Sequence, residues 1–274
     1  MYDTTRSRLI GVALLATVLV AACAETPSVP ELSDPVAIVE AAATQAASSQ
    51  SVHVDVTADG TLQLDITGTG AGAPIQLTDS TASLDLDLAA GTAKATFALP
   101  GILGLRGELI AVDGSTYIKT SLTGPLYQKS TAADAGVPDP SGSPDPSSVL
   151  AMLTEVRTAL ARPGVDPVKG ADVACGSGTC YTVMIQLTPA ELSALGVDPG
   201  ALPLPGDLPI PVPDIGDQTI DLTIRVDKTT TRLAGLTANV AGGAAGDLNA
   251  ELTFSKWDEA LTISAPPADQ VAGS

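Results

Sequence analysis

Three cysteines and a single histidine are the residues of this chain best suited to chemistry, and their spacing gives them different tasks. Cys175 and Cys180 bracket the Gly-rich loop Gly176-Ser177-Gly178-Thr179. An antiparallel hairpin closed by such a loop places two thiols opposite each other within bonding reach, which predicts a structural disulfide in an oxidising compartment. A metal site there needs further ligands, and His53 is the chain's one imidazole. A redox pair more often shows two intervening residues. Gly176-Ser177-Gly178 is not the G-x-S-x-G elbow of a hydrolase, and His53 falls on the polar side of its strand, where it reads as a surface residue and not as a general base. Asp85 with Asp87, and Asp139 with Asp145, lack the EF-hand spacing and read as solvated acids. No catalytic residue, metal or cofactor is expected, and the chain reads as a non-enzyme.

Cys23 belongs to a different setting. Arg6 and Arg8 form a basic leader, Ile10 to Val20 an apolar run, and the small Ala21 and Ala22 come directly before the cysteine. A membrane span needs about 20 apolar residues, far more than this run supplies. The pattern resembles the lipobox of bacterial prolipoproteins. That resemblance implies a thioether-linked diacylglyceryl group on Cys23, cleavage just before it, and acylation of the new amine, for example by palmitate. The protein would then be extracytoplasmic and anchored to the cell membrane by an N-terminal lipid. Two or three acyl chains hold such a tether at about 0.8 kcal/mol per buried methylene.

The elements that position these residues are read from periodicity. Residues 1 to 22 are the expected signal peptide, and 23 to 34, with Pro27 and Pro30, a flexible stalk. Asp34 or Ser33 is expected to cap a helix that has Pro35 in its first turn and Val36, Val39, Ala43 and Ala46 at helical spacing. From Ser51 the period is two. Val52, Val54 and Val56 alternate with polar residues, the Asp59-Gly60 pair predicts a hairpin turn, and Leu62, Leu64 and Ile66 continue the pattern. Leu84, Leu86 and Leu88, then Ala93 to Leu99, Leu105 to Val112, and Tyr117 to Ser121 after the Asp113-Gly114 turn, complete a meander.

Ala132 to Pro146 reads as a surface loop, and Ser147 or Ser148 as the cap of a second helix that ends at Pro163-Gly164. Val165 to Ala174 and Tyr181 to Leu187 form the cysteine hairpin. Thr188-Pro189-Ala190-Glu191 has the Ser/Thr-x-x-Glu form of a capping box. Leu202, Leu204, Leu208, Ile210 and Val212 then sit among prolines between Pro199 and Gly216, which predicts an extended strap, either the rim of an apolar opening or a cover for a sheet edge. Four last strands are expected at Ile220 to Val226, Leu233 to Val240, Leu248 to Phe254 and Ala260 to Ser264. Residues 35 to 268 read as one domain and 269 to 274 as a tail.

The fold class is α+β: a large curled antiparallel sheet, a half-barrel, packed over a few helices. With one Trp, four Tyr and two Phe, its interior is aliphatic. Composition accommodates either a filled core or a hollow. The net charge of −18 argues against nucleic acid and against an anionic membrane face as partners, since both need basic patches. Parity places Leu62, Leu64, Ile66, Leu84, Leu86, Leu88, Leu222 and Ile224 on the inward face, as the lining of any lipid cavity.

Four motifs in order, the lipobox, Ser51-Val52-His53, Val112-Asp113-Gly114-Ser115-Thr116-Tyr117 and Ser255-Lys256-Trp257, make the chain from Pro35 to Pro267 similar to the LppX/LprA/LprF/LprG family of actinobacterial envelope lipoproteins. The resemblance implies a half-barrel with a hydrophobic cavity and the binding or transport of acylated envelope lipids or glycolipids. The implied partners are that ligand, the membrane, and a transporter or envelope protein. The alternative is a non-enzymatic envelope scaffold with a filled core. The Pro-rich segment, the 132 to 146 loop and the cysteine pair depart from the family pattern.

Overall fold

The computed structural model describes residues 31–64, 73–131, 165–188, 190–191, 219–241 and 247–273. Leu32 onward forms one compact unit. Its single described α-helix, α1 (Pro35–Ser48), starts where the sequence requires: both carboxylate oxygens of Asp34 accept from the backbone N–H groups of Val36 and Ala37, at 3.3 Å each, and Pro35 occupies the first turn. The buried face is Ile38, Val39, Ala42 and Ala46, so the true stripe is rotated slightly from the expected one. The domain also begins earlier than expected. Leu32 packs on the core and donates its N–H to the Tyr181 hydroxyl at 3.0 Å, which shortens the predicted stalk.

Among the described residues thirteen strands follow: β1 (Ser51–Leu64), β2 (Ala73–Gln76), β3 (Ser80–Asp87), β4 (Thr92–Leu99), β5 (Leu105–Val112), β6 (Ser115–Thr120), β7 (Gln128–Thr131), β8 (Val168–Lys169), β9 (Val173–Cys175), β10 (Gly178–Leu187), β11 (Ile220–Asp227), β12 (Leu233–Val240) and β13 (Leu248–Ser255). They form one open sheet in the order β7-β6-β5-β4-β3-β1-β13-β12-β11-β10-β8, in which β2 pairs with the end of β1 and β9 with β10. Every pair of these thirteen strands is antiparallel. The expected curled antiparallel sheet is therefore present, and it does not close into a barrel. Among the described residues no helix is long and apolar enough to cross a membrane.

Register separates the two faces. Residues directly opposite in antiparallel strands point to the same side. One row runs Val183, Ile224, Leu236, Leu252, Val56, Ala82, Phe97 across seven strands. This is the face on which α1 lies: Ile38, Val39 and Ala42 pack with Val183, Ile185, Ile224 and Val226. A second cluster on the same face joins Val52, Val54, Leu86, Ala93 and Ala111. Phe254 and Trp257 pack against both clusters and tie them together.

Three expectations are corrected. Asp59-Gly60 is not a hairpin turn, because β1 runs straight through it. Gly60 has φ +120° and a Cβ there would overlap the Asp247 carbonyl oxygen, so this glycine marks the bend at which β1 leaves β3 and β13 and takes β2 as its partner. Ala260 to Ser264 is not a strand. The chain from Trp257 instead crosses the face opposite α1, where Ile263 and Val271 pack on a third cluster of Ile110, Val112, Tyr117 and Tyr127. Nor are residues 269 to 273 a loose tail: Tyr127 N–H donates to the Gln270 carbonyl and Ala272 N–H to the Tyr127 carbonyl, both at 2.8 Å. The second helix, the 132 to 146 loop and the Pro-rich 199 to 216 segment lie outside the described residues.

Candidate functional site

The apolar face begins with β3, where Leu84, Leu86 and Leu88 alternate with Ser83, Asp85 and Asp87. Leu86 is 3 % exposed, and Leu84 and Leu88 are half-buried beside it. Leu222 and Ile224 sit on the α1 side of the same face, the first half-buried and the second buried. These five side chains lie on the α1 face and divide between two clusters. Leu62 and Leu64 pair in register with Ile75 and Ala73; their side chains, and the whole of Ile66, lie outside the described residues, as does Cys23. Between the clusters the Phe254 and Trp257 rings stack with centroids 6.2 Å apart, and Trp257 Nε1 donates to the Leu233 carbonyl at 3.1 Å. That bond satisfies the indole's one polar atom and fixes the residue as a core anchor.

Where the strands run on past these packed rows, the surface opens. A hollow of about 540 Å³ is lined by Asp55, Val56, Thr57, Thr81, Ala82, Ser83, Thr96, Phe97 and Ala98. A second, of about 380 Å³, lies over Arg106, Gly107, Glu108, Lys119 and Gly124, with Thr96 common to both. Phe97 covers Gly107, where a Cβ would strike its ring. The volumes fall in the range of small-molecule sites. Among the described residues, no predicted lining residue borders either hollow. The physical reason is side-chain size: the leucines fill the space above their own strands, and depth returns at the row of Val56 and Ala82.

On the face opposite α1 lies a cluster not anticipated from sequence, and two of its members, Asp55 and Ser83, also border the larger hollow. His53 is largely covered, in place of the surface position expected of it. Its Nδ1 meets Asp85 Oδ1 at 2.6 Å, while Nε2 faces Asp55 Oδ1 at 3.3 Å and the Ser83 hydroxyl at 3.4 Å. Serine, imidazole and carboxylate together suggest a hydrolytic triad, but the geometry does not supply one. Asp55 competes for Nε2, and Ser83 sits in a central strand registered with Asp55 on one side and Thr96 on the other, where the ladder bonds of both neighbours occupy the backbone donors that an oxyanion would need. Two residue pairs at i, i+2 on adjacent strands, His53/Asp55 and Ser83/Asp85, are the sequence signal for this cluster.

A second polar network follows on β4, β5 and β6. Lys94 and Lys119 reach Glu108 at 3.1 and 3.2 Å, and Lys119 also donates to the Tyr127 hydroxyl at 3.2 Å. Burial pushes the Glu108 carboxyl up, but hydrogen bonds from Tyr127, Lys94 and Lys119 outweigh it and hold the group below the usual range. Asp87, predicted to be solvated, caps the Ala90 N–H at 2.8 Å.

Cys175 and Cys180 form the predicted disulfide, with a Cα–Cα distance of 5.8 Å. They are diagonal and not opposite: Cys175 pairs with Gly178 and Cys180 with Val173 across a tight Gly176-Ser177 turn. Asp227 lies close to both sulfurs, but the disulfide uses them, so the trio offers no thiolate ligands to a metal. The capping box is realised as well. Glu191 accepts from the Thr188 N–H at 2.6 Å while its own N–H donates to the Thr188 hydroxyl, and the backbone bond, first among its causes, lowers the Glu191 pKa.

No family model matches the chain, and no curated protein matches it. Among solved structures it is similar to LprF from Mycobacterium bovis, with 16% identity over 85% of this chain and 96% of that one and a TM-score of 0.52. It is also similar to the Mycobacterium tuberculosis lipoprotein LppX, with 16% identity over 85% of this chain and all of the other and a TM-score of 0.50. The likeness extends over essentially their full length and shows a shared fold. Both carry names from the family that the motifs resemble, so motif order and architecture agree.

Proposed function

We propose, from the fold shared with LprF and LppX, that the chain is a membrane-anchored extracytoplasmic lipoprotein of their family that binds and carries acylated lipids or glycolipids of the envelope. Cys23 is the lipidated residue of this reading, and the acyl anchor keeps the carrier where its cargo is made. The observation that carries it is the single aliphatic face running across an open sheet from β10 to β4, with a hollow bordered by Val56, Ala82 and Phe97 at its far end. An acyl chain makes no hydrogen bonds, so such a wall binds it in proportion to buried area, at about 25 cal/mol per Å². A transporter or another envelope protein is the expected recipient.

One observation favours the filled scaffold. Val52, Val54, Leu86, Ala93 and Ala111 are all nearly inaccessible, as in a solid core. Native mass spectrometry of protein purified from membranes, before and after lipid extraction, separates the two. The carrier reading expects a co-purifying lipid of defined stoichiometry that extraction removes. A bare polypeptide mass, unchanged after incubation with acylated lipids, would reject it in favour of the scaffold.

A further inference from the structure

The two ends of the sheet differ in character. At one end, β4 and β5 are joined by Pro100-Gly101-Ile102-Leu103-Gly104, and β6 and β7 by Ser121-Leu122-Thr123-Gly124-Pro125-Leu126 and the buried Tyr127, with no charged residue in either loop. They are neighbours, since the Ser121 N–H donates to the Arg106 carbonyl at 2.8 Å and the Arg106 N–H to the Ser121 hydroxyl at 3.2 Å. Leu103 is 87% exposed, Leu122 63% and Leu126 40%. Isolated exposed leucines are ordinary, but three on adjoining loop tips form a patch. Leu103 also holds φ +52°, a left-handed conformation uncommon for a non-glycine residue. At the opposite end the same strands are joined by Leu88-Ala89-Ala90-Gly91, whose leucine is half-buried in the second cluster, and by Asp113-Gly114, so neither connection exposes a large apolar side chain.

Charge follows the same division. The chain carries −18 in all, yet between Thr92 and Thr131 the cations Lys94, Arg106, Lys119 and Lys129 face only Glu108 and Asp113. Arg106 is exposed directly behind the leucine tips and has no ion pair among the described residues. Lys119 is behind it, shared with Glu108. Asp79, between β2 and β3, donates its N–H to Asp59 Oδ1 of β1 at 3.3 Å, so the acids of this end are held in a turn of their own. Apolar tips backed by cations are the pattern that enters the boundary between headgroups and acyl chains, with the cations at the phosphates.

We propose that the β4–β5 and β6–β7 loops dock on an anionic phospholipid surface: Leu103, Leu122 and Leu126 enter the acyl boundary, and Arg106 meets lipid phosphate. The inference goes beyond carriage and does not require an internal lipid. It confines membrane contact to one corner of an otherwise acidic molecule, and the second hollow opens immediately behind that corner.

The test uses full-length protein with a polarity-sensitive fluorescent amino acid in place of Leu103, Leu122 or Asp113. Each is mixed with vesicles of phosphatidylcholine, with or without phosphatidylglycerol, and emission is read against acyl-brominated lipid. Blue-shifted, quenched emission is expected at 103 and 122 with phosphatidylglycerol, weakened by salt, and no change at 113. In the same assay Arg106→Gln should reduce docking about fivefold, the effect of one cation at such a surface. Absence of quenching at both leucines overturns the proposal, as does equal quenching at 113 or equal quenching on pure phosphatidylcholine. A blue shift that grows with protein concentration in the absence of vesicles would identify a second copy of the chain as the occupant and overturn it too. Repeating the assay on lipid-extracted protein keeps this outcome separate from that of the carrier reading.

Discussion

At Glu108 two opposing effects meet, and the bonds prevail. Burial favours the neutral acid, while Tyr127, Lys94 and Lys119 favour the carboxylate and hold its pKa below the ordinary 4.5. The partner responds in kind: hydrogen bonding to Tyr127 and then to Glu108 raises the Lys119 pKa. A carboxylate whose folded pKa is depressed stabilises the protein above its unfolded value, and that contribution disappears as pH falls through the folded one. Glu108→Gln should therefore cost about 1.5 kcal/mol at pH 7, the low end for a hydrogen bond to a charged group because the carboxylate is partly exposed. The cost should shrink toward pH 3. Urea midpoints of both proteins at the two pH values check this, and an undiminished difference at pH 3 would assign the effect to packing and not to charge. His53 teaches the complementary lesson. Its type and parity place it correctly on the polar face, but only strand register puts Asp85 within 2.6 Å of it.

At the scale of elements, Gly60 separates what local sequence can tell from what it cannot. An Asp-Gly pair between alternating apolar runs carries the strongest short hairpin signal. At Asp113-Gly114 that signal is right: both residues have positive φ, 52° and 67°, and β5 folds back onto β6. At Asp59-Gly60 the same pair is drawn out within β1, because β13 supplies a partner across Gly60 itself, which pairs with Leu248. The cause is non-local, so no window of sequence contains it. Gly60→Ala should cost about 3 kcal/mol or more, through backbone strain at φ +120° and collision with the Asp247 carbonyl. Thermal unfolding measures the loss, and a variant as stable as the parent would show that the bend is relaxed without glycine. Elements with local causes were readable in advance: α1 from its Asp34 cap and Pro35, the cysteine hairpin from its glycines, and the apolar face of β3 from three alternating leucines. The hollows were not, because they depend on how deep neighbouring rows stand, which is set by Ala82 and Phe97 on different strands.

At the scale of the molecule, both faces of the sheet are used. The sequence presents one face as apolar and the other as solvated, but the second carries its own cluster beneath the returning C-terminal segment. Ending the chain at Pro267 would remove Val271 from Ile110, Val112, Tyr117 and Tyr127, along with two backbone bonds to Tyr127. The expected cost is about 2 kcal/mol, from one valine and its ladder bonds. For a domain of this size that lowers Tm by about 4 to 8 °C, and a melting curve of the truncated chain decides it. The α1 face poses the functional question, because a filled core and a cargo site make different demands on the same leucines. Leu86 is closed in on all sides, so Leu86→Trp should destabilise either interior, by about 1 to 3 kcal/mol. Leu84 and Leu88 are half-buried on the same strand. If lipid lies over them, Leu84→Trp and Leu88→Trp fill space that cargo would take. Each should then lower lipid occupancy about tenfold, equivalent to about 1.4 kcal/mol of lost apolar contact, with little change in Tm. If the core is solid, the same two variants should melt early, as Leu86→Trp does. Paired measurements of Tm and of lipid retained after purification distinguish the two interiors, since destabilisation of all three variants leaves no room for a cargo site at β3.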